Sequence, residues 1–472
     1  MRRWYLELGL ILGLAWRAAA QVDRIFEGFE NHGLVGVGRI SASAFDRTGN
    51  GRQDSLGGFS AMAVDPSSLR YSSNQITGQL IGLPDRGFGD GSTDYRPRLE
   101  FFDFSFTPAI GTGPFPQNQL RLTNSATRMF TYRERGRWIP FTGLDADDSG
   151  QTRVPRARPD SPAAGRRSLD PEGLVILPGS GYWVADEYGP ALYRFDRRAR
   201  LQETLWPPDS FLPRIDGRVQ FTAQKPPESG RRNNRGFEGL TLTPDRRRLV
   251  AFLQSPLMQD AGGSNRSQNT RMLEFDIAPR SPTRGQVVGD YVYPLTWHGS
   301  PNQDRHTPVS EVLALTDTTF LALERDGFGR GSPTNGSPAY KQIVLFTTQG
   351  ATNWARSPKG VPPEFPERAL SEAEGAMRRR EFIDLTDSRQ LARFGLNTKA
   401  QPDENTLSEK WEALTLVPLR DPTRPRDFLL WVGNDHDFKA PQVWHNGQIV
   451  ATNAVAVDLM ILVYRVTLPG VQ

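Results

Sequence analysis

Acidic residues recur in this chain at the ends of short apolar runs, and any chemistry the chain performs would start there. Glu172, Glu238, Glu311 and Glu412 each open an alternation such as Glu238-Gly239-Leu240-Thr241-Leu242-Thr243-Pro244, and Ser60 holds the same place in an earlier copy, Ser60-Ala61-Met62-Ala63-Val64-Asp65-Pro66. After a turn, each copy continues into a second apolar run with a polar ending. These endings are Asp85-Arg86-Gly87, Asp186-Glu187-Tyr188, Gln254-Ser255-Pro256, Glu324-Arg325-Asp326 and Asn434-Asp435-His436-Asp437. Carboxylates brought together repel one another unless protons, basic side chains or a cation neutralise them. With no cysteine in the chain and only oxygen donors in these phrases, a hard cation such as Ca2+ suits them better than zinc.

The candidate metal ligands are Asp85, Asp186, Glu187, Glu311, Glu324, Glu412, Asn434 and Asp435. Arg86, Arg235, Arg325 and Lys410 are the candidates for holding a small anionic substrate, because a guanidinium can grip phosphate or carboxylate through two hydrogen bonds. Glu172, Glu238 and His436 are the candidate catalytic groups. His436 lies between Asp435 and Asp437, whose charge would favour its protonated form and suit it to general acid or base work. Each has a competing structural role: a strand-end glutamate can bind backbone N–H groups of a neighbouring strand, and a lone histidine can simply pack.

Side chains so far apart in sequence meet only if the repeats surround an axis. Strand–turn–strand units with a third strand behind them, such as Ala191–Phe195 or Met272–Phe275, describe the blades of an all-β, single β-propeller with long loop insertions. Six blades are expected, seven being the other count, with one blade built around Arg98–Thr107 and Arg128–Trp138. A β-sandwich is the competing architecture. Leu34–Phe45 near the start is expected to share a blade with Ile449–Val457 and Leu459–Val466 near the end. An insertion spans 353–404, and within it Glu364–Phe382 reads as helical, acids first and Arg378-Arg379-Arg380 last. The 45 glycines and 37 prolines in 472 residues exceed the roughly 12% of an average chain and favour short elements over long helices.

Residues 1–20 read as a secretory leader, with Arg2-Arg3, an apolar stretch from Leu6 to Trp16, and Ala18-Ala19-Ala20 before Gln21. The remainder, 21–472, is expected to be one propeller domain, secreted or periplasmic, without stable membrane insertion. With 57 basic and 53 acidic residues interspersed, the net charge of +4 argues against a nucleic-acid partner. No G-x-S-x-G elbow, H-E-x-x-H helix or phosphate-binding P-loop is present. The calcium-loop openings at Asp46 and Asp145 lack an acid at the twelfth position, where Gly57 and Arg156 stand, so both read as polar turns. Asn265 and Asn335 are glycosylation acceptors only in a host that performs that modification.

Gly57-Gly58-Phe59-Ser60, Asp85-Arg86-Gly87, Asp170-Pro171-Glu172-Gly173-Leu174, Trp183-Val184-Ala185-Asp186-Glu187-Tyr188-Gly189-Pro190, Asn234-Arg235-Gly236-Phe237-Glu238-Gly239-Leu240, Leu323-Glu324-Arg325-Asp326 and Asn434-Asp435-His436-Asp437-Phe438 occur in this order. In these phrases the chain resembles the phytase-like β-propeller family, described as having esterase-like activity. Ala413 stands where the pattern has glycine, and His436 where it has asparagine. The resemblance implies hydrolysis of phosphoester or carboxylester substrates; joined to the leader and the oxygen-only ligands above, the expectation is an exported hydrolase assisted by Ca2+ at the channel mouth. The alternatives are a lactonase-like propeller hydrolase and a non-catalytic propeller that binds a ligand or protein, with a structural metal.

Overall fold

The computed structural model describes residues 25–47, 53–146, 154–263, 266–297, 307–333, 336–356 and 364–471. The leader, parts of both calcium-loop look-alikes, Asn265 and Asn335 lie outside them.

Successive side chains of a strand point to opposite faces, so runs apolar at nearly every position, such as Leu249-Val250-Ala251-Phe252-Leu253, put apolar surface on both faces, and a sheet can bury both only between two other sheets. The described residues solve this with five four-stranded antiparallel blades. The first comprises Ala61–Val64, Ile76–Leu83, Arg98–Phe106 and Leu120–Met129; the second, Pro171–Leu177, Gly181–Asp186, Leu192–Asp196 and Leu201–Leu205. The third comprises Phe237–Leu242, Arg248–Leu253, Asn269–Asp276 and Val287–Pro294; the fourth, Val309–Ala314, Thr319–Arg325, Lys341–Thr347 and Arg378–Asp384. The fifth runs from Lys410–Pro418 through Asp427–Asp435 and Leu459–Thr467 to Glu30–Ile40, so the N-terminal strand completes the last blade.

The innermost strands touch in turn and return to the first, closing the ring. A separate buried apolar cluster fills each of the gaps between successive blades, Trp431 and Phe104 packing edge to face between the fifth and first. Closure removes the exposed sheet edges that an open stack would leave.

Three expectations change. Arg98–Phe106 is the third strand of the first blade, and Thr131–Glu134 with Arg137–Pro140 forms a separate hairpin, so the sixth blade expected there is not among the described residues. At the chain ends, Leu459–Thr467 pairs with Glu30–Ile40 as expected, but Ile449–Val457 does not join them; Gln448–Thr452 instead pairs with Gln442–His445 in a hairpin. The charged stretch read as a helix contains only a single 3-10 turn, Glu372–Glu374, before Arg378–Asp384 runs as the outer strand of the fourth blade. Backbone pairing to Lys341–Thr347 outweighs the favourable charge order. A short helix, Ser388–Ala392, follows. Among the described residues, no helix is long and apolar enough to cross a membrane.

Candidate functional site

In an antiparallel blade, the start of the innermost strand lies beside the end of the second, and both face the same mouth of the channel. There four of the five innermost strands carry one residue too many, while Ala61–Val64 of the first blade pairs without a skip and is preceded by Ser60. Glu172 is skipped between the pairs Pro171–Asp186 and Gly173–Ala185, Glu238 between Phe237–Leu253 and Gly239–Phe252, and Glu412 between Trp411–Asn434 and Ala413–Gly433. Such a bulge releases the extra residue from the ladder and re-aims its side chain. In the fourth blade the skipped residue is Ser310, and Glu311 pairs with Leu323. The ring is therefore Ser60, Glu172, Glu238, Ser310 and Glu412, with Glu311 displaced from it by one register position.

That displacement decides what Glu311 does. Its buried carboxylate accepts the N–H groups of Val312 at 2.9 Å and of Leu240, on the neighbouring blade, at 3.1 Å. Other expected ligands are likewise occupied. Asp186 accepts the N–H groups of Asp170, Tyr188 and Gly189 at 3.0, 3.2 and 3.0 Å, which folds the loop that presents Glu187. Burial nevertheless pushes its carboxyl up to about 7, against those hydrogen bonds. Glu324 is fully buried among Tyr293, Thr307, Tyr340 and Arg379, at 2.5, 3.0, 3.0 and 3.1 Å. Asn434 donates to Ser408 and to the Asp458 carbonyl at 2.9 and 3.1 Å and accepts the Met460 N–H at 2.6 Å. Glu412 is held by Arg325, whose Nε also donates to Ser310 Oγ at 3.1 Å.

What remains at the mouth are two carboxylate triads. In each, one oxygen per residue lies within 4.8 Å of the others: Asp170, Glu172 and Glu187 form the first, and Asp85, Asp435 and Asp437 the second. Asp170 and Asp437 were not among the candidates. Asp170 precedes its apolar run in Asp170-Pro171-Glu172, and Asp437 ends the Asn434–Asp437 phrase, so adjacency to a chosen acid was the available signal.

The two triads differ electrically. In the second, Lys410 Nζ lies 3.5 Å from Asp435 and 2.9 Å from Asp437, and Lys439 lies 3.1 Å from Asp437. Burial pushes Asp435 and Asp437 up, but Lys410, helped by His436 at Asp435 and by Lys439 at Asp437, outweighs it and leaves both carboxyls below the ordinary range. Asp85, with burial and then Asp435 acting on it, is held well above.

In the first triad, burial drives Glu172 and Glu187 well above the usual carboxylate range, and the charge of Glu238 is the next cause for both. Burial and Glu412 push Glu238 itself up to about 8. Arg86 reaches this triad through Asp170, with Nη1 at 3.4 Å from the carboxylate and its own backbone N–H donating to it at 2.9 Å. Asp170 Oδ2, Glu187 Oε1 and Glu238 Oε2 are buried and accept no hydrogen bond. Buried carboxylate oxygens left in this state fit a cation, which would supply the missing partner.

Arg235 lies at the same mouth, donating to Gln254 Oε1 at 3.0 Å, while Gln254 Nε2 binds Glu238. His436 is only 2% exposed, and its Nδ1 accepts the Phe438 N–H at 3.3 Å, so it turns into the protein beside Asp435. Two motif glycines permit these approaches. A Cβ on Gly236 would stand 2.2 Å from the Glu187 carbonyl oxygen, and one on Gly58 would stand 1.7 Å from Asp435 Oδ1.

Comparison with known proteins follows the same residues. A family model described as phytase-like, esterase-like activity of phytase, matches residues 54–438. A protein of Arthroderma benhamiae named an uncharacterized secreted protein is 32% identical over 439 residues, covering 84% of this chain and 83% of that one. Among solved structures, the periplasmic gluconolactonase of Pseudomonas aeruginosa aligns at 14% identity over 87% of this chain and 89% of its own, with a TM-score of 0.28. A luciferin-regenerating enzyme aligns at 8% identity over 88% and 94%, with a TM-score of 0.29.

Proposed function

Because this chain belongs to the phytase-like family, we propose that it is an exported hydrolase of small anionic phosphoesters or carboxylesters, working at the carboxylate-lined mouth with a bound Ca2+. Export is supported by the leader-like residues 1–20 and by the secreted relative; the domain is taken as 21–472. The observation that carries the reading is the set of buried oxygens without a hydrogen bond on Asp170, Glu187 and Glu238, of which only Asp170 Oδ2 has an ion-pair contact, to Arg86. Asp170, Glu172 and Glu187 would hold the cation, which when bound polarises an ester oxygen and favours ionised water.

The chain's own groups then have distinct tasks. Arg86, fixed by Asp170 and Asn234, and the half-buried Lys410 present positive charge to an anionic substrate. Glu238, protonated near neutral pH by its surroundings, stands one blade from Glu172 and can exchange a proton with a reacting group. Arg325 and Arg235 hold the ring in shape through Glu412 and Gln254 and need not touch substrate.

The test is hydrolysis of p-nitrophenyl phosphate and p-nitrophenyl acetate by the full chain. Activity on at least one that falls with EDTA and returns with Ca2+, while the melting temperature keeps the protein folded throughout, supports the reading. Activity indifferent to EDTA removes the cation from it, and no activity on either ester with Ca2+ present removes the hydrolase.

A further inference from the structure

The two triads are each three acids drawn together, with opposite needs, and this bears on how many ions the mouth takes. Three acids meet in each, within 4.8 Å. In the second, a flexible ammonium already stands where a metal would: Lys410 Nζ contacts both Asp435 and Asp437, and Lys439 Nζ covers the remaining oxygen of Asp437. An ammonium is a compact point charge with several donors, and two carboxylates that share one have little to gain from a divalent ion.

In the first triad, the cation in contact is Arg86, which lies against Asp170 alone. Among the described residues, Arg86 and Arg235 act on Glu187 by charge but neither forms an ion pair with it or with Glu172. A guanidinium is also planar and tied elsewhere, here to Asn234 and Asp90. The unpartnered Oε2 of Glu238, a residue only 3% exposed, adds an acceptor from outside the triad.

We propose that the mouth is a one-cation centre, in which a single divalent cation binds Asp170, Glu172 and Glu187 while the Lys410 ammonium serves as a built-in cation among Asp85, Asp435 and Asp437 and keeps a second ion out. The inference rests on the cation of the proposed function and adds its seat, its number and the device that sets the number. An all-oxygen donor set selects a hard ion.

The experiment is equilibrium dialysis of the chelator-stripped full chain against Ca2+, with circular dichroism of each variant. The wild type should bind one ion per chain. Glu187→Gln should weaken that binding by about tenfold or more. Asp437→Asn should keep one ion, and Lys410→Met should bind two, with Lys410→Gln as a second variant should the methionine not fold. A wild type that binds none or two, a Glu187→Gln protein of unchanged affinity, or a folded Lys410 variant that still binds one overturns the proposal. Stoichiometry and hydrolysis fail separately: one bound ion in a protein that cleaves neither ester leaves this inference standing and removes the catalytic reading, whereas hydrolysis without a bound ion removes this one.

Discussion

Glu238 should make the metal-free protein lose stability as pH rises, the reverse of the usual behaviour of a native carboxylate. Its ordinary value of 4.5 is pushed up to about 8 in the folded chain by burial and by Glu412. Below pH 4.5 both folded and unfolded chains carry the proton, and the group has no net effect. Above it the unfolded chain releases the proton while the folded chain keeps it, so stability drains away until the folded group also ionises near pH 8. Each pH unit in that window costs about 1.4 kcal/mol, so between pH 5 and pH 8 the loss assigned to Glu238 is about 4 kcal/mol. Asp186 and Glu100 have raised values as well, at about 7 and about 8, so the total slope is not Glu238's alone. The Glu238→Gln variant removes it together with its charge on Glu172 and Glu187, while glutamine keeps the shape and can offer its carbonyl to Gln254 Nε2. Urea unfolding in EDTA at pH 5, 6, 7 and 8 should give a wild-type curve that falls more steeply than the variant's by about 4 kcal/mol across the range. Saturating Ca2+ should flatten the wild-type curve, since ion binding replaces the protons. Parallel curves for the two proteins in EDTA would refute the assignment of an electrically unsatisfied hub.

Two other substitutions separate structure from chemistry at the same mouth. Glu311→Ala strips the acceptor from two buried N–H groups, at about 1–3 kcal/mol each, and should lower urea stability by about 2–6 kcal/mol while leaving Ca2+ stoichiometry unchanged; a change in stoichiometry would return Glu311 to the ligand set. Arg325→Met leaves the buried Glu412 without its ion pair, for an expected loss of about 3–5 kcal/mol by urea unfolding, and an unchanged midpoint would show that Glu412 has another partner.

The repeats were legible because the residue that opens each innermost strand must face the channel, and in three blades that residue is a glutamate. The fourth blade shows where sequence stops. Val309-Ser310-Glu311-Val312 offers a glutamate at the expected spot, but the ladder skips Ser310, and only the pairing of Glu311 with Leu323 reveals that the acid has moved into the place held by Gly173, Gly239 and Ala413. Ligand sets were legible as a neighbourhood and not as contacts. Asp186, Glu324 and Asn434 belong to charge-dense strand ends, yet their hydrogen bonds turn them to backbone and neighbouring side chains. The further blade expected around Arg98–Phe106 is absent among the described residues because that strand carries nothing in its sequence that distinguishes a third strand from an innermost one. Arg378–Asp384 was misread because three successive arginines satisfy a helix terminus and an exposed outer strand equally well.

The register shift in the fourth blade also explains why the hub is polar in one direction. Five glutamates in a closed ring would each face four like charges in a space of low dielectric. Ser60 and Ser310 remove two of them, and Arg325 neutralises Glu412 from the blade beside it. The ring's remaining acids, Glu172 and Glu238, sit on adjacent blades, and to them the loops add Asp170 and Glu187 with Arg86 in contact with Asp170 alone. Negative charge therefore gathers between the second and third blades, while the lysines Lys410 and Lys439 gather on the fifth. A divalent ion at the first triad and an ammonium at the second would set two positive groups along one opening, joined through the neighbouring residues Asp85 and Arg86. An anionic ester bridging them would be oriented by charge before any specific contact forms.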